Sequence, residues 1–167
     1  LGSPAHERFF IQNQRETNSK FILLTIKSPS QYFVKNLSVS INEKFETALI
    51  EISEIVKSLN KKLIIKIHPS DQEMEITNLI KQILPSAKIL KNTDIIDLIK
   101  ECELLISLDG STTIYEALIF RKPVILVLIS EDDSDFASLK KDNACVFSDL
   151  LNLENDLNLI LHDPVSR

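Results

Sequence analysis

Leu104-Leu105-Ile106-Ser107-Leu108-Asp109-Gly110-Ser111-Thr112-Thr113 carries an apolar run into a glycine and then into three hydroxyl side chains. The Leu- and Ile-dominated half predicts a buried strand, and the spacing that follows predicts a helix over 113–121. Gly110 is one of only 2 glycines in the chain. A sequence so sparing of glycine places one where the backbone needs φ > 0 or where something must approach it closely. Ser and Thr at a helix start leave N–H donors pointing along the positive end of the helix dipole, which suits phosphate and other anions. A structural role is open to the same residues, because Thr113 and Glu116 have the spacing of a capping box.

Outward from this unit, strand-like runs recur at Phe21–Ile26, Leu63–Ile67, Ala87–Leu90, Val124–Ile129 and Ala144–Phe147. Helical spacing fills the intervals. Ile41, Phe45, Leu49, Ile52, Ile55, Val56 and Leu59 predict an amphipathic helix over 41–60. Further helices are expected at 71–83, 94–101, 132–141 and 153–162. Strands apolar on both faces that alternate with helices imply an α/β fold, a Rossmann-like three-layer α/β/α sandwich with a mostly parallel six-stranded sheet. Residues 20–167 read as one such domain, and the polar stretch 1–19 reads as an interdomain segment leading into it. In this architecture ligands sit beyond the carboxyl ends of the strands, near the point where strand order reverses.

Composition narrows the function. With 167 residues and 44% hydrophobic content, the chain can bury one sizeable core. A net charge of −5 and the absence of Trp disfavour nucleic-acid partners, which need basic surfaces and stacking platforms. The longest apolar run, Val124–Ile129, is far short of the roughly 20 residues that span a bilayer, so no transmembrane segment is expected. Cys102 and Cys145 lack metal-ligand or disulfide spacing and are expected to be buried thiols of a reducing, cytoplasmic compartment. The opening Leu1-Gly2-Ser3-Pro4 has neither Met nor a signal peptide pattern, as expected of a piece of a longer protein.

Two other strand ends are polar. The first strand runs into Lys27-Ser28-Pro29-Ser30 and the second into His68-Pro69-Ser70-Asp71. Pro69 keeps His68 out of helical geometry and directs it to the rim of the sheet. Ser70 and Glu73 form a second capping-box pattern, and Asn92 or Thr93 is expected to cap the helix at 94–101. Asp109 reads as a turn residue, or as a charge that would repel phosphate. Asp132, Asp133 and Asp135 lack the Gly and terminal Glu of a calcium loop and read as an acidic first helical turn, so no metal site is expected. Neither G-x-G-x-x-G nor a Walker motif occurs, which disfavours dehydrogenases and P-loop enzymes.

Three segments taken together resemble a known family: Lys66-Ile67-His68-Pro69, then Ile106–Ala117, then Lys122-Pro123-Val124-Ile125. Their order is similar to the C-terminal, donor-binding half of GT-B fold glycosyltransferases of the surface-polysaccharide type, with UDP-N-acetylglucosamine 2-epimerase and glycerophosphotransferase relatives. The resemblance implies a nucleotide-sugar donor, UDP-, CDP- or CMP-linked, and no other cofactor. It assigns the diphosphate to Gly110, Ser111, Thr112 and Thr113, the ribose to Glu116, and the phosphates or sugar to His68, the one candidate for a catalytic role. Lys27 joins them as a cation on a neighbouring strand end. The acceptor-binding N-terminal domain of the family is missing from this chain, so the reaction would be completed only in a longer protein, cytoplasmic or peripheral at the inner face of the membrane. Arg121 stands where relatives often carry Gly, so the helix at 113–121 is expected to end without the usual left-handed glycine cap. A UDP-sugar epimerase half-domain and a non-catalytic Rossmann-like protein-interaction module are the alternatives.

Overall fold

The computed structural model describes residues 21–26, 39–67, 73–129 and 136–162. Six strands and six helices alternate along it. They are β1 (Phe21–Ile26), α1 (Val39–Ser58), β2 (Lys62–Ile67), α2 (Glu73–Ile83), β3 (Lys88–Leu90), α3 (Ile95–Glu101), β4 (Leu104–Leu108), α4 (Thr113–Ile119), β5 (Val124–Val127), α5 (Ala137–Lys141), β6 (Val146–Ser148) and α6 (Leu153–His162).

The strands form one sheet in the order β3-β2-β1-β4-β5-β6, and every neighbouring pair is parallel. The sheet grows outward from β1 in one direction and from β4 in the other, so the order reverses between these two strands. Their carboxyl ends therefore flank the crevice where ligands of such sheets bind.

Period-two alternation within the central strands builds two cores, one on each face. Ile22, Leu24, Ile65, Leu104, Ile106 and Ile125 point to the face covered by α1, α2 and α6, where Leu49, Ile52, Ile80 and Leu157 meet them. Leu23, Ile64, Leu105, Val124 and Leu126 point to the opposite face, against Ile99 of α3, Ile114 and Ala117 of α4, and Leu139 of α5. Because both faces are covered, the strands read as continuous apolar runs, and β4 is buried at every position.

The helix ends expose a consequence of glycine scarcity. α1, α4 and α5 each stop at a residue in the left-handed region, Asn60 (φ 54°), Arg121 (φ 54°) and Asn143 (φ 49°). In each case the next amide reaches back into the last turn: Lys61 to the Val56 carbonyl at 3.0 Å, Lys122 to Ala117 at 2.9 Å and Ala144 to Leu139 at 2.9 Å. These are Schellman terminations. α4 thus ends without a glycine cap, and Arg121 adopts the left-handed conformation itself. At the start of α3 the cap is Asp94, which accepts from the Ile96 amide at 2.9 Å, in place of Asn92 or Thr93. β5 ends at Val127, two residues earlier than its apolar run suggests, and β6 lies at Val146–Ser148, two residues later at its start than Ala144.

Candidate functional site

The loop from β4 to α4 is bolted to the neighbouring β5 exit. Asp109 adopts φ 54° and is buried; its amide donates to the Val127 carbonyl at 2.8 Å, and its Oδ1 accepts from the Ile129 amide at 2.6 Å. Its carboxylate thus serves as a brace within the turn. Gly110 follows at φ 71°, also buried. A Cβ at this position would overlap Cε2 and Cζ of the Phe136 ring, with Cδ2 at 3.1 Å. Both reasons for a glycine hold here: a left-handed backbone and a close approach. The group that approaches is an aromatic ring from the start of α5.

The hydroxyl run comes next. Thr112, at φ −57°, is the N-cap of α4 but makes no side-chain cap bond. Ser111 takes that part, its Oγ accepting from the Thr113 amide at 3.4 Å and its carbonyl from the Ile114 amide at 3.0 Å. Thr113 is therefore the first helical residue, and the Thr113–Glu116 capping box is corrected. Its hydroxyl turns instead toward the sheet and donates to Thr25 Oγ1 at 3.3 Å. Among the described residues no acceptor meets the amides of Gly110, Ser111 and Thr112. Glu116 lies one turn into α4, partly exposed, with Oε2 buried.

Thr25 belongs to a row that the sequence reading missed. Lys66 of β2, Thr25 of β1 and Ser107 of β4 are direct neighbours across the sheet, Lys66 paired with Thr25 and Thr25 with Ser107. All three are buried. They share the face of Leu23, Ile64 and Leu105, beneath the start of α4. The Lys66 ammonium donates to the Ile67 carbonyl at 2.9 Å and to the Lys91 carbonyl at 2.6 Å, tying the β2 exit to that of β3. Ser107 Oγ is buried and has no hydrogen-bond partner among the described residues. A signal for this row existed: FILLTI, KLIIKI and LLISL each carry one polar residue at the penultimate position of an apolar strand.

The structure thus brings Gly110, Ser111, Thr112, Thr113 and Glu116 together at the β1–β4 reversal. Lys27 and His68 lie outside the described residues, as do Ser70, the Asp132–Asp135 cluster and the segment 1–19. Among the described residues no group of His, Cys, Asp and Glu could hold a metal ion, and no helix is long and apolar enough to cross a membrane. Cys102, the C-cap of α3, is fully buried, and burial pushes its thiol up to about 12 despite the nearby Lys122 ammonium. Cys145 is corrected from buried to half-buried, and precedes β6; burial still raises its thiol to about 11.

The model of the LIC12162 family transferases matches residues 2–144, most of the chain. The chain belongs to this transferase family. No curated protein matches it in sequence. Solved structures do match in fold. The UDP-GlcNAc 2-epimerase of Methanocaldococcus jannaschii, solved with UDP-GlcNAc and UDP, is 22% identical with a TM-score of 0.65, over 87% of this chain and 39% of that one. The Neisseria meningitidis UDP-GlcNAc 2-epimerase bound to UDP-GlcNAc is 19% identical with a TM-score of 0.64, over 96% of this chain and 41% of its own. At such identities the likeness is one of fold, and this chain spans about two fifths of the length of these enzymes. The expected half-domain of GT-B type is the fold observed.

Proposed function

We propose that the chain is the donor-binding half of a transferase that moves a sugar from a nucleotide-linked donor to a glycan acceptor in surface polysaccharide synthesis. The diphosphate would lie across Gly110–Thr113, the ribose hydroxyls would meet Glu116, and His68 and Lys27 would bring hydrogen-bonding and cationic groups from the adjacent strand ends. One observation carries this reading: amides 110–112 have no acceptor among the described residues and stand, with the Ser111 and Thr112 hydroxyls, at the carboxyl edge where strand order reverses. The chemistry agrees. A departing nucleoside diphosphate develops negative charge, and fixed N–H donors stabilise that charge without reorganising. The acceptor and the remaining catalytic groups would come from the rest of a longer protein. Family membership supports a transferase over the epimerase alternative, for which the same nucleotide contacts would serve.

Calorimetric titration of the 167-residue chain with UDP, CDP and CMP tests the reading. Saturable binding of at least one is expected, and Thr112→Pro should weaken it about tenfold, since proline deletes one of the proposed donors at a φ of −57° that its ring allows. Absence of binding by all three at millimolar nucleotide contradicts the proposal.

A further inference from the structure

Gly110 cannot accept a side chain because the far edge of the Phe136 ring already fills that space. Phe136 is 8% exposed and belongs to the core on the α3–α4–α5 face, with Ile114, Ala117, Leu126 and Leu139. One side of its ring system is thus anchored in packed side chains while Cε2 and Cζ bear on the loop. The loop is also held at the preceding residue, where Asp109 binds the amide of Ile129 and the carbonyl of Val127. Every one of these holds comes from the β5–α5 unit. The helix that follows holds only the end of the loop, where the Ile114 and Tyr115 amides donate to the Ser111 and Thr112 carbonyls at 3.0 and 3.1 Å; Thr112 makes no side-chain cap bond, and the Ser111–Thr113 contact is long at 3.4 Å.

We propose that Phe136 is a positioning residue: its ring presses on Gly110 and fixes the direction in which the amides of residues 110–112 point. The role in ligand binding rests on the reading of those amides as phosphate donors; the role in fixing the loop does not. Asp109 is already held by its bonds to Val127 and Ile129, but glycine visits many backbone angles freely, and those of Gly110 need an outside hold. A ring in van der Waals contact can enforce them, since a packed core resists small displacements.

The test compares Phe136→Ala with Leu139→Ala, a control that removes a buried side chain from the same core and the same short helix. Backbone 15N relaxation of the free chain reads the loop directly. In the native chain the amides of Gly110, Ser111 and Thr112 should show order parameters near the rigid level of about 0.85; in Phe136→Ala they should fall below about 0.6. Leu139→Ala should lower stability while leaving the loop rigid. UDP affinity should drop about tenfold in the first variant and stay within about twofold in the second. Where Phe136→Ala does not fold, Phe136→Leu removes the ring edge that touches Gly110 and keeps an apolar body, with the same expected loosening. A loop already mobile in the native chain, or one equally rigid without the ring, or equally loosened by the control, overturns the inference. If the native chain binds no nucleotide, the functional reading fails and relaxation alone decides the role of Phe136.

Discussion

Arg121 holds a backbone conformation that costs a side-chain-bearing residue roughly 1–2 kcal/mol and glycine almost nothing. Glycine gains back some freedom in the unfolded chain, so Arg121→Gly should raise stability by about 0.5–1 kcal/mol, read from the urea midpoint. An unchanged or lower midpoint would mean that the arginine side chain contributes more than its backbone strain takes away. No sequence rule marks Arg as left-handed, so the conformation was illegible until the Lys122 amide was seen bonded to Ala117. The α3 cap was ambiguous for a different reason. Asn92, Thr93 and Asp94 all have cap-competent side chains, and only geometry selects Asp94. By contrast, Gly110 announced itself through rarity, although the partner that makes it necessary, Phe136, lies 26 positions away in the chain.

The two central strands were legible to the residue, whereas the end of the buried β5 was not. β1 and β4, each an unbroken apolar run with one hydroxyl, lie where their composition places them. β6 was harder, because a half-buried edge strand of 3 residues offers little pattern. The polar row Lys66–Thr25–Ser107 depends on which strands are neighbours and in what register, and those facts appear only once the sheet is assembled. Between β4 and β5 the brace is a single carboxylate. Asp109→Ala leaves the Ile129 amide without its acceptor in a buried place and puts a less tolerant residue at φ 54°, so it should cost about 2–3 kcal/mol. Asp109→Asn keeps an acceptor and a residue type at ease in that region, so its cost should stay below about 1.5 kcal/mol. Equal urea midpoints for the two variants would show that the brace does not hold the loop.

For the whole molecule, two thiols couple stability to alkaline pH. Burial raises Cys102 from 9.0 to about 12 and Cys145 from 9.0 to about 11 in the folded state. Unfolding returns each to its ordinary value, so above about pH 9 the unfolded chain sheds protons that the folded chain keeps. Their contribution is complete below that pH and is lost as pH climbs through the folded values. The urea midpoint should fall from about pH 9 upward, and less steeply in Cys102→Ala; parallel slopes would remove the thiol from the account.

The crevice between β1 and β4 is where the nucleotide is expected to bind. A 1H–15N correlation spectrum of the chain, recorded as UDP is added to millimolar concentration, tests this most directly. Progressive, saturable shifts are expected, centred on the amides of Gly110, Ser111, Thr112, Thr113 and Glu116, with β3 and β6 at the sheet edges unmoved. A spectrum in which those five amides stay still, or in which the shifts gather elsewhere on the fold, would contradict it.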